Sequence, residues 1–167
     1  EPQYANTPHN VGYEVLDRLA ASQGLAWQEE PHAWTARGAL GDQPVCLVKL
    51  RVAMNLSGAA LKRLSESLSF TTEQCILVYD DLDLPLGAAR TRMGGGAGGH
   101  RGVASILEAY QSSALRRVKV GVGQAGATHN RADYVLTPFA ADRHTELATG
   151  IATAHARLLE LSKSHPS

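Results

Sequence analysis

A chain of 167 residues with 16 Lys plus Arg against 16 Asp plus Glu has no overall positive field to draw it to nucleic acid, so any such binding must come from a local patch. Its length is that of one typical domain, enough to bury roughly 68–70% of the unfolded surface in a single core without metal or disulfide staples. No apolar run reaches the roughly 18 residues of a membrane-spanning helix and no signal-peptide core is visible, so a soluble cytoplasmic protein is expected.

In chain order, Val11, Val15, Leu16 and Leu19 recur at helical spacing and predict a helix from about Asn10 to Gln23, stopped by Gly24. His9 and Asn10 therefore sit at its N-terminus. Apolar-rich runs at residues 35–40 and 45–50, divided by Gly41 and Asp42, predict a β-hairpin. Leu56, Ala60, Leu61, Leu64 and Leu68 predict a second helix, with Asn55 or Ser57 as its N-cap. Residues 75–79 are almost continuously apolar, the pattern of a central strand buried on both faces, and they end in Asp80.

A weaker strand at 88–92, a glycine-rich loop and a helix at 103–111 follow. Residues 117–122 alternate charged and apolar side chains as a half-buried strand does, and Leu147, Ile151, Ala154, Leu158 and Leu161 mark a final helix. Strands interleaved with helices predict an α/β fold of three layers, a mixed twisted sheet flanked by helices, in one domain over residues 1–167. Cys46 and Cys75 fall within apolar runs and are expected to be reduced, buried thiols.

Candidate chemistry gathers at four places. His9, at the positive end of a helix dipole, would be favoured as the neutral imidazole that a general base must be; the alternative is a cap histidine bonded to backbone. Asp80, Asp81 and Asp83 follow a buried strand, where α/β proteins collect site residues. Asp80 is best placed to accept a bond from an imidazole and fix its tautomer, and the others suit turn chemistry better than a metal. Residues 94–102 hold six glycines, which admit unusual backbone angles at a cost of roughly 0.5–1 kcal/mol each against alanine, so a functional loop is the better reading. His100 and Arg101 stand as donors at its exit, while Arg90, Arg92, Arg116, Arg117 and Lys119 flank it, with 117 and 119 on one face. No nucleophile elbow is recognisable, which favours direct attack by water.

Taken together, QYANTPHNVG, MNLSG at residues 54–58, ILVYDDLDLPLG, GGGAGGHRG, VKVGVGQ and DYVLTPF resemble, in order, the motifs of bacterial-type peptidyl-tRNA hydrolases. The resemblance covers essentially the whole chain. It implies the phosphorylase/hydrolase-like fold, a monomer, no cofactor or metal, and hydrolysis of the ester joining a peptide to the 3′-terminal ribose of tRNA. It also implies His9 as the base, Asp80 as its orienting partner, Asn55 with Met54 beside the scissile bond, and Tyr4 at the site for the tRNA 3′ end. Arg92 and Lys119 would hold the 5′-phosphate of the acceptor stem.

The sequence departs from that pattern in lacking the family's usual opening strand and GLGNPG loop, in reading GGHRG for GGHNG, and in placing Ala53 where an aromatic usually precedes Met-Asn. The competing functional reading is a non-catalytic RNA-binding relative, which would not need both His9 and Asp80. An enzyme of nucleoside-phosphorylase or peptidase type would need a phosphate or zinc site, and neither ligand set is visible.

Overall fold

The computed structural model describes residues 10–111, 114–123 and 143–163. Helix α1 (Val11–Gln23) follows Asn10 and stops at Gly24, whose φ of 65° lets its backbone N–H close on Ala20 and Ala21. Its buried stripe is the expected one, including Val11, Val15 and Leu19.

Strands β1 (Gln28–Glu30), β2 (Ala33–Leu40) and β3 (Gln43–Leu50) form an antiparallel sheet in that order, and Gly41, with φ of 62°, opens the tight turn between β2 and β3. The polar sequence Gln-Glu-Glu gave no sign of β1. Strands β4 (Ile76–Asp81), β5 (Ala89–Met93) and β6 (Arg116–Gly121) form a second sheet in the order β4-β6-β5. Here β4 runs parallel to β6 and β5 antiparallel to it. α1 and α4 (His144–Lys163) pack on the face that carries Val118, Val120 and Val122. α2 (Ser57–Leu68) and α3 (Arg101–Tyr110) cover the opposite face through Leu61 and Ile106, with Leu115. The architecture is thus the expected three-layer mixed α/β arrangement.

A 3-10 turn over Met54–Leu56 leads into α2, and neither Asn55 nor Ser57 caps it as expected. The N-cap position is Leu56, which makes no side-chain bond. Its place is taken from outside the helix: the Gly58 N–H donates to Ser105 Oγ on α3 at 2.9 Å. That contact exists because the helices cross at Gly58, where a Cβ would lie 2.1 Å from the Ser105 carbonyl oxygen. Backbone cannot swing aside as a flexible side chain can, so Gly58→Ala is expected to lower unfolding free energy by about 1–3 kcal/mol in urea or thermal melts. An unaltered melt would mean that α2 and α3 separate freely.

Three expectations are corrected. Ile76, Leu77 and Val78 are only partly buried. Among the described residues β4 pairs on one side, with β6, while its other edge and the outer edge of β3 border an apolar cleft of about 710 Å³. Tyr13 and Leu16 of α1 line this cleft on one side, and Leu61, Val103 and Ile106 on the other. β6 is not half-buried, since Arg116 and Arg117 both lie inside. Arg116 is accommodated by donating to the carbonyls of Leu161 and Glu73, each at 3.1 Å. Lastly, Cys46 is exposed and Cys75 only partly covered. Burial pushes the Cys75 thiol up to about 11 against the pull of nearby Arg116. Among the described residues no helix is long and apolar enough to cross a membrane.

Candidate active site

The site is assembled where the start of α1 lies on the end of β4. A Cβ on Gly12 would stand 2.6 Å from the Val78 carbonyl oxygen, so the helix rests directly on the strand backbone two residues ahead of Asp80. Only glycine permits that approach. Asn10 occupies the N-cap position of α1 without a side-chain bond to the helix backbone. Its amide bonds instead to Glu14, whose pKa burial raises and that bond partly lowers again. Tyr4 and His9 lie outside the described residues, as does the DYVLTPF motif.

Asp80 is buried, 5% exposed, and its Oδ1 lies 2.8 Å from Nε2 of His100. His100 is the N-cap of α3, and its Nδ1 accepts the Val103 N–H at 3.2 Å. An accepting Nδ1 needs its lone pair, so the ring proton sits on Nε2 and is donated to the carboxylate. The edge of the ring also meets Tyr79, with centroids 5.2 Å apart and planes at 69°. His100 is therefore held with Nε2 toward Asp80 and Nδ1 on the Val103 N–H, both ring nitrogens engaged. A general base must be sought elsewhere. A carboxylate has about four lone-pair sites, so Asp80 can hold a second imidazole while serving His100.

The neighbouring acids do turn and pairing work. Asp81 Oδ1 accepts the Asp83 N–H at 2.8 Å, and Oδ2 pairs with Lys119 Nζ at 2.9 Å. Among the described residues no group of three or more His, Cys, Asp or Glu could hold a metal ion. On the other side, the Asn55 side chain is exposed on its 3-10 turn while its carbonyl accepts from Ser105 Oγ at 2.9 Å. Met54 Sδ packs on the start of α3, 3.0 Å from the position a Gly102 Cβ would take. Met54, Asp80 and His100 line the same cleft. Arg101, the first residue of α3, is exposed beside them.

The cations lie across β5 and β6. Arg92 is registered with Arg117 and Arg90 with Lys119, which puts all four on one face of the ribbon. They are not equivalent. Arg90 and Arg92 are exposed, Lys119 is half-buried and paired with Asp81, and Arg117 is closed beneath the glycine loop.

A family model described as Peptidyl-tRNA hydrolase matches residues 1–165. The chain belongs to the peptidyl-tRNA hydrolase family. It is 40% identical over 139 residues to the peptidyl-tRNA hydrolase of Moorella thermoacetica, covering 83% of this chain and 73% of that one. With the peptidyl-tRNA hydrolase of Aquifex aeolicus it shares 37% identity over 169 residues, covering 98% and 87%. The crystal structure of peptidyl-tRNA hydrolase from Acinetobacter baumannii superposes with a TM-score of 0.90 at 26% identity, covering 98% of this chain and 84% of that one.

Among the residues singled out from the sequence of this peptidyl-tRNA hydrolase family member, the fold brings Met54, Asn55, Asp80, His100 and Arg101 around one end of the cleft. Arg92 and Lys119 fall on the adjacent β5–β6 face. Sequence reasoning missed Ser105, which ties α2 to α3, and the buried placement of Arg117. A serine in mid-helix carries no signal of its own, and an alternating Arg-Val-Lys segment reads as a solvated strand face.

Proposed function

We propose that this peptidyl-tRNA hydrolase hydrolyses the ester between peptide and tRNA, and so recycles tRNA from aborted translation, with His9 as general base oriented by Asp80. The observation that carries the reading is the buried Asp80 carboxylate at the junction of α1 and β4, already holding one imidazole donor. A neutral His9 takes a proton from water, and the water oxygen attacks the ester carbonyl. Asn55, with donors at the start of α3 such as Arg101, stabilises the resulting oxyanion, each well-placed donor being worth about 3–4 kcal/mol. Collapse of the tetrahedral intermediate expels the ribose oxygen, which recovers the proton from the His9 imidazolium. Each step is assigned to a side chain. His100 serves by holding Asp80 and capping α3.

Tyr4 and Met54 would line the path of the tRNA 3′ end, and Arg92 and Lys119 the 5′-phosphate of the acceptor stem. The shared face of β5 and β6 supports the latter assignment, because it sets exposed guanidinium groups beside Lys119. Arg92→Glu and Lys119→Glu are each expected to weaken tRNA binding and to reduce the salt slope of log K by roughly one unit per lost phosphate contact. Affinity measured across a salt series checks this, and an unchanged slope would make the patch a solvated face.

The same reading takes residues 1–167 as one cytoplasmic, monomeric domain. The non-catalytic alternative, RNA binding alone, would leave the buried Asp80 carboxylate a structural role, holding His100 at the start of α3. The test is release of peptide from N-blocked peptidyl-tRNA beside unblocked aminoacyl-tRNA. Cleavage of the blocked substrate alone supports the enzyme, and tight binding without cleavage of either supports the alternative.

A further inference from the structure

Beneath the glycine loop lies a guanidinium that the mechanism above leaves unused. Arg117 is 1% exposed. Its Nη1 donates to Tyr79 Oη at 3.2 Å and to the Gly96 carbonyl, and its Nη2 donates to the Gly95 carbonyl. We infer that Arg117 is a positioning residue for hydrolysis: its fork holds the glycine loop, and through Tyr79 it supports the His100–Asp80 pair. The inference rests on the hydrolase reading given above.

The loop needs such a holder. Residues 94–99 contain five glycines and one alanine, so almost no side chain packs it down, and its backbone has high conformational entropy to lose. Gly95, with φ of 102°, takes a conformation that L side chains rarely adopt. The loop has ties at both ends, the Gly94 N–H to the Leu115 carbonyl at 3.0 Å and the His100 N–H to the Ala97 carbonyl at 3.1 Å. Between them the Gly95 and Gly96 carbonyls are met by Arg117. A planar guanidinium can satisfy two successive carbonyls and a hydroxyl together, whereas a lysine ammonium is a compact charge that cannot span them.

The consequences reach both halves of the site. Tyr79, fixed at its hydroxyl by Arg117, presents its ring to the His100 imidazole that is bonded to Asp80. On the outer side, the Arg92 guanidinium lies against Gly95, 2.8 Å from where a Cβ would stand. Slack in the loop would therefore blur the position of the base-orienting carboxylate and of the phosphate-facing arginine alike.

Arg117→Met and Arg117→Lys separate this role from general stability. Wild-type cleavage of N-blocked peptidyl-tRNA is measured first, so that failure of the hydrolase reading is seen independently. For Arg117→Met, kcat is expected to fall by about tenfold to a hundredfold, more than KM rises, as misplacement of a catalytic group by an ångström does. Amide hydrogen exchange over residues 94–100 should accelerate while α4 keeps its protection. Arg117→Lys should recover part of kcat but not the loop protection. If Arg117→Met does not fold, Arg117→Lys alone decides, with faster loop exchange and lowered kcat expected. Wild-type kcat and wild-type loop exchange in the folded variants, or faster exchange spread evenly over the whole chain, would overturn the inference.

Discussion

Replacing His9 by alanine is expected to slow peptide release from N-acylated peptidyl-tRNA by about 10²–10⁴-fold, the usual contribution of a general base, while tRNA binding changes by no more than a few fold. The expectation draws on what the histidine bonded to Asp80 cannot do. His100 spends Nδ1 on the Val103 N–H and Nε2 on Asp80, so it has no ring nitrogen left to take a proton from water without undoing the start of α3. The proposed base is then His9, which in the sequence precedes Asn10, the N-cap of the helix whose Gly12 lies on β4. Phosphate contacts on the β5–β6 face would be untouched, which is why affinity should persist. Single-turnover cleavage and filter binding on the same variant check both halves, and unchanged turnover would remove His9 from the mechanism.

Asp80→Asn is expected to be nearly as damaging, lowering kcat/KM by about 10²–10⁴-fold with the fold intact, by analogy with amide replacement of the orienting carboxylate in a catalytic triad. The amide oxygen can still accept from His100 Nε2, so α3 should keep its cap and far-UV circular dichroism should be preserved. The amide nitrogen, however, is a donor where an acceptor is required. A second imidazole facing it would be turned into the tautomer that presents a proton to water. Turnover within a few fold of wild type would show that Asp80 serves only His100.

The features that could be read from the sequence are those written into a local period or a turn. α1 was legible from its apolar stripe and Gly24, the β2–β3 hairpin from Gly41-Asp42, and α4 from five apolar positions at helical spacing. Asp80 was legible because a polar residue closing an apolar strand has few structural excuses. What stayed hidden depends on partners distant in sequence. Nothing near Arg117 says that a loop some twenty residues earlier will cover it, so its alternation with Lys119 reads as a wet face. The cap of α2 comes from Ser105 across a helix crossing that Gly58 alone makes possible. The tautomer of His100 follows from a backbone N–H and a carboxylate twenty residues away, neither visible in the tripeptide His-Arg-Gly. β4 has the composition of a fully buried strand, yet one of its edges borders the cleft.

The pH dependence of kcat/KM for N-blocked peptidyl-tRNA, measured side by side for the wild type and Asp80→Asn, reaches the central claim most directly. A neutral imidazole drawing a proton from water predicts a rate that rises with unit slope through the acid range and levels off, as a histidine does between about pH 5 and 8. Loss of the carboxylate should move the inflection toward lower pH, since the imidazolium loses its anionic partner. A flat profile in the wild type, or an inflection that stays in place when Asp80 is changed, would contradict the account.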